Sequence, residues 1–138
     1  MSNARNIANL PNGDDAPMYA CRAWVNFEGN FSWSGITEYS PTANPTPIRD
    51  AGNISSIREE GTADYVITFS EPMPHTNYVV SGAARYGDNS NAGAMRVVSI
   101  TSVSTLANTM KTDSIRVSTQ YQNGAVEEIQ VVTVAIFC

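Results

Sequence analysis

A single histidine, His75, limits the catalysis this chain can support. A Ser-His-Asp triad has one possible centre, and a His-rich metal site is excluded. His75 stands in Met73-Pro74-His75-Thr76, a proline-bounded loop before a strand, and no G-x-S-x-G nucleophile elbow accompanies it. It reads as a surface or loop-packing histidine. Carboxylates occur as the doublets Glu59-Glu60 and Glu127-Glu128. Neighbours on a strand point to opposite faces, so neither doublet is by itself an acid/base pair across a glycosidic bond. Both read as solvated turn charges. Asp88-Asn89-Ser90-Asn91 offers oxygen ligands but lacks the spaced acids and closing glutamate of a calcium hand loop. No glycine loop suited to phosphate is present. The expectation is a protein that is not an enzyme, with no catalytic residue, no metal and no cofactor.

The remaining residues with binding chemistry are aromatic or polar and lie in loops. Phe31, Trp33, Ile36 and Tyr39 sit among Ser, Gly and Thr, followed by Pro41, Pro45 and Pro47. Three prolines in seven residues forbid a central strand and stiffen an irregular loop. Flat rings on such a loop suit stacking on sugars or filling pockets, or they pin the loop to the domain. The sequence leaves both open. A second, glycine-bounded tip carries Asp88, Asn89 and Asn91. Phe31, Trp33, Tyr39 and this tip are the candidate receptor or glycan-binding residues.

These loops need a scaffold, and the periodicity predicts one made of strands. In Cys21 to Glu28, Ala23, Val25 and Phe27 share one face while Trp24 falls on the other. Ile54 and Ile57 mark a strand, and Tyr65, Ile67 and Phe69 alternate along the next. The connection between them, Arg58 to Asp64, places Gly61 where a positive φ is expected, with Thr62 and Asp64 able to bond the turn backbone. Tyr78 to Tyr86, Ala94 to Ser104 and Asp113 to Gln122 read as further strands, and Asn123-Gly124 as a turn. Glu127 to Phe137 is apolar on both faces, which suits a central or interfacial strand. Val132, Val134 and Ile136 on one of those faces, together with Trp24, are candidate oligomer contacts. About eight short strands with frequent turns predict an all-β fold, an antiparallel β-sandwich over 21–138, with a loop insertion at 30–47. Residues 1–20 read as an extended or disordered arm, either a loose terminus or a docking peptide to which Ile7 and Leu10 supply apolar contacts.

Composition narrows the partners. At 138 residues there is room for one domain. The net charge of −5 with only 8 Lys+Arg gives no basic stripe, which argues against nucleic acid. No apolar run is long enough to insert in a membrane. Arg5 is followed by no apolar core, so no signal peptide is expected, and Cys21 and Cys138 read as free thiols, with a bridge open only if the first and last strands are neighbours.

Several segments recur in a known pattern: Ala23-Trp24-Val25-Asn26-Phe27, Ile48-Arg49, Asn53-Ile54-Ser55-Ser56-Ile57, Gly61 with Asp64-Tyr65-Val66-Ile67-Thr68-Phe69, then Met73-Pro74 and Asn77-Tyr78. Together they resemble a β-module of bacteriophage tail fibres and related virion proteins. The resemblance covers Cys21 to Tyr78 and departs from the pattern at the insertion, where the family passes from a Phe-Asn-Gly turn to Ile-Arg in a few residues. It implies a non-enzymatic virion structural protein, made and assembled in the bacterial cytoplasm, forming a homotrimer. Its end loops would mediate attachment to a host-surface glycan or protein. The alternative is a head fibre, capsid decoration or collar component held to other virion proteins by its N-terminal arm. Such a module ordinarily follows a long shaft, and a chain without one is expected to need some such attachment device.

Overall fold

The computed structural model describes residues 20–33, 37–86, 96–101 and 109–138. Among them are eight strands: β1 Cys21–Phe27, β2 Ile48–Gly52, β3 Ile54–Gly61, β4 Asp64–Phe69, β5 Val79–Arg85, β6 Arg96–Ile100, β7 Ser114–Tyr121 and β8 Val131–Phe137. They form two antiparallel four-stranded sheets, ordered β2-β1-β8-β5 and β3-β4-β7-β6, packed face to face. The all-β sandwich follows from period-2 patterning. Ala23, Val25 and Phe27 from β1 and Val132, Val134 and Ile136 from β8 bury against Ile57, Tyr65, Ile67, Ile115 and Val117 of the other sheet. The three β8 residues therefore belong to the core and are not available as oligomer contacts. β8 lies between β1 and β5, and its apolar opposite face turns to the outside of the sandwich.

The chain changes sheets at Asn53, whose φ is 57°. Asparagine tolerates this left-handed conformation, and its side chain uses both ends. Nδ2 donates to the Arg22 and Glu71 carbonyls, each at 3.1 Å, while Oδ1 accepts from the Glu71 N–H at 2.7 Å. In the β3–β4 turn the left-handed residue is Ala63, φ 59°, and not Gly61 as the turn chemistry suggested. Ala63 is fully buried and its carbonyl accepts the Thr119 N–H at 3.0 Å, so the tie to β7 sets the conformation. Asp64 likewise bonds no turn amide in this structure; it forms a two-pronged pair with Arg116, at 2.9 and 2.7 Å.

Strand register sorts the connections to two ends. Phe27 lies opposite both Ile48 and Val132, and Arg85 lies opposite Val131. The β1–β2, β5–β6 and β7–β8 connections therefore leave from one end, and the β3–β4 turn joins them through Tyr65, which bonds Gly29. Cys21 lies opposite Phe137, which lies opposite Val79, so Ala20 and Cys138 are at the other end. Cys21 and Cys138 are free thiols, although β1 and β8 are neighbours.

Candidate functional site

The loop end is built around Gly29. Its carbonyl accepts two side-chain bonds, from Tyr65 Oη at 2.9 Å and from Trp33 Nε1 at 3.1 Å, and its N–H donates to the Ile129 carbonyl at 2.9 Å. A Cβ at this position would stand 2.6 Å from that carbonyl and 2.9 Å from the Tyr65 hydroxyl, so only glycine fits. The rings then assemble edge to face. Phe31, Trp33 and Tyr39 form a triangle with centroids 5.3 to 5.9 Å apart, and Trp33 rests 5.6 Å from Tyr65. Burial pushes the Tyr65 phenol pKa well up, so the hydroxyl keeps its proton for Gly29.

The same loop closes a sheet edge. Tyr39 and Ile57 exchange two backbone hydrogen bonds of 2.9 Å, laying the insertion along β3, the outermost strand of its sheet. Glu38 adds an ion pair to Arg58 at 3.5 Å, and Arg58 also pairs with Glu60. The structure thus brings Phe31, Trp33 and Tyr39 together as one half-buried cluster. Most of their contact is with each other and the domain, while each keeps part of its surface exposed.

Across the same end, Arg96 opens β6. Its side chain is only 3% exposed, with the guanidinium carbon 4.4 Å from the Tyr121 ring centroid and 5.1 Å from that of Tyr86. Nε lies 2.5 Å from Glu127 Oε2, close enough for an ion contact but off the axis of a hydrogen bond, and Nη1 has no partner. Glu127 is therefore a half-buried counter-ion, not a solvated turn charge. Arg96, Tyr86 and Tyr121 come from separate stretches of chain, and no local pattern joins them in the sequence. They clamp the two ends of the connection that holds Asp88, Asn89 and Asn91; those three residues lie outside the described residues, as do Ile7 and Leu10.

Trp24 is 40% exposed on the outer face of the β2-β1-β8-β5 sheet, its indole lying over Gly52. Beside it Trp24, Ser81, Ala83, Thr133 and Ala135 line an uncharged hollow of about 390 Å³. Val79 extends this face at 65% exposure. His75 is an exposed residue of the β4–β5 connection. Among the described residues no group of three or more His, Cys, Asp or Glu is placed to hold a metal ion.

Compared with protein-family models, with curated proteins and with solved structures, the chain matches none.

Proposed function

We propose that this chain is a non-enzymatic structural protein of a bacteriophage virion, a self-associating module of a tail fibre or fibre tip that attaches to the host surface through its end loops. One observation carries the reading: Ala20, where the arm joins the domain, and the loop end lie at opposite ends of the sandwich. A body held by its N-terminal arm presents outward the ring cluster and the end at which β5 finishes and β6 begins. The motif order from Ala23 to Tyr78 supports the virion assignment, and the uncharged outer face around Trp24 supports contact between copies. Assembly as a trimer is what the resemblance implies.

A placement as head fibre, capsid decoration or collar component is favoured instead by the arm, with Ile7 and Leu10 as its apolar contacts. Electron microscopy of particles labelled with an antibody to residues 21–138 tests both. Label at the tail periphery is expected for attachment, and label on the head or neck for the docked alternative. Particles that carry no label at all overturn the virion reading. Deletion of residues 2–17 should abolish incorporation under either placement.

A further inference from the structure

We propose that the hollow beside Arg96, at the loop end of the sandwich, is a subsite for one neutral saccharide ring, held through two of its hydroxyls. The proposal deepens the attachment reading and rests on it, and it names the ligand class and the residues.

The hollow measures about 290 Å³ and is lined by Arg96, Tyr121, Ala125, Val126 and Glu127. Its wall is tied to the end of β7. The Tyr121 N–H donates to the Ala125 carbonyl and the Gly124 N–H to the Tyr121 carbonyl, both at 2.8 Å. Thr119 Oγ1 donates to the Glu127 carbonyl at 2.6 Å, and the Glu127 N–H donates to the Thr119 carbonyl at 3.1 Å. The wall is formed before a ligand arrives, so little ordering opposes binding.

Polar atoms in that wall are left without bonds. The Arg96 side chain is 3% exposed, and its Nη1 has no hydrogen-bond partner among the described residues. Glu127 takes the other edge of the guanidinium, with Oε2 beside Nε and Oε1 3.4 Å from Nη2. Glu127 Oε2 is likewise buried and accepts no hydrogen bond. One ion pair therefore holds a buried donor and a buried acceptor unbonded, each at a desolvation cost that a ligand can relieve.

This pairing selects the ligand. A carboxylate or phosphate would accept from Arg96 but meet the electron pairs of Glu127, on a chain of net charge −5. An ammonium group would meet the guanidinium. A hydroxyl both donates and accepts, so two neighbouring hydroxyls satisfy Nη1 and Oε2 together. Val126, 54% exposed, and Ala125 offer apolar surface to the C–H face of the same ring. Ligand pockets begin at roughly 300 Å³, so the hollow takes a single ring and not a peptide segment. Nη1 is closed to solvent, and the ring reaches it as the Glu127 carboxylate, 31% exposed, shifts to make room.

The test titrates the isotope-labelled full chain, followed by nuclear magnetic resonance, with the methyl glycosides of glucose, galactose and mannose. The methyl glycoside of glucuronic acid and N-acetylglycine methylamide serve as the anionic and peptide-like probes. At least one neutral glycoside should shift the Arg96 Nε–H and Val126 methyl signals and saturate at millimolar concentration. Ala125→Phe, at an exposed position, fills the hollow from its rim; it should leave the far-UV circular dichroism unchanged and weaken binding at least about tenfold. The proposal is overturned if no neutral glycoside shifts these signals, or if the glucuronide or the amide binds as tightly as the best of them. It is also overturned by shifts that survive Ala125→Phe or gather on Trp33 and Tyr39, which would make the ring cluster the sugar site. The two readings fail separately: unlabelled particles with a saturable shift at Arg96 overturn the virion assignment alone, and labelled particles with no such shift overturn the subsite alone.

Discussion

The two long sides of this sandwich solve the same problem differently. Along β2 and β3 the edge is closed: the insertion lays Tyr39 on Ile57, Glu38 and Glu60 pair with Arg58, and Arg49 reaches across to Gln130. Along β5 and β6 nothing among the described residues closes the edge, and Val79, Val97 and Ile100 stand exposed on it. Both sheets have unpaired backbone at both margins, so the difference is not one of topology. One side covers part of its edge from within the chain, at Ile57 and Ala51, and on the other no described residue does so.

Uncovering the closed side should have the largest effect. Trp33→Ala removes the ring that ties the insertion to Tyr65 and Gly29, and should cost about 3 kcal/mol by urea denaturation, at the low end of the range for aromatic truncation because Trp33 is half-buried. It should also make the protein aggregate, seen by light scattering, as β3 becomes a further free edge. An unchanged urea midpoint would show that the rings are dispensable for closing that side and free to serve recognition. On the open side, Arg96→Leu should cost about 2 kcal/mol, because Glu127 loses its counter-ion in a site where the arginine side chain is 3% exposed. Adding Glu127→Leu should recover most of the loss. A double variant no more stable than the single one would mean that the ring stack, and not the ion pair, holds the β5–β6 connection.

Two smaller changes sharpen the picture of the closed side. Tyr65→Phe keeps the packing and deletes one of the two bonds to the Gly29 carbonyl, for a loss of about 1 kcal/mol. Glu59→Gln should act in the opposite direction and depend on pH. Burial, then the like charge of Glu128, raises the Glu59 pKa above its ordinary 4.5, and Oε1 has no partner. A carboxyl with a raised folded pKa contributes most below its unfolded value and loses that contribution as the pH rises through the folded one. The variant should therefore be more stable than wild type at neutral pH, by less than about 1 kcal/mol for a partly exposed group, and indistinguishable below pH 4.5. Equal stability at both pH values would mean that the Glu59 charge carries no penalty.

Legibility in the sequence followed the range of the interactions. The alternation of Tyr65, Ile67 and Phe69, and of Val132, Val134 and Ile136, marked strands correctly because it records side-chain direction residue by residue. β2 was visible only as Ile48-Arg49 within a motif, since five residues are too few to show a period. The ring cluster was noticed by composition, but its attachment to Gly29 joins residues from β4 and the insertion. Arg96 gave no signal, because Tyr86, Tyr121 and Glu127 reach it from three places in the chain.

By itself the sequence determined the all-β class, most of the strands, the burial of alternate residues and the poverty of catalytic groups. All of these depend on residue type and on spacing within a few positions. Only the tertiary structure decided that the face of β8 bearing Val132, Val134 and Ile136 turns inward, that Ala63 rather than Gly61 takes the left-handed turn, and that the insertion lays Tyr39 along β3 at Ile57. Those outcomes depend on which strands lie side by side, and strand neighbours are chosen by the packing of the whole core, not by any one segment.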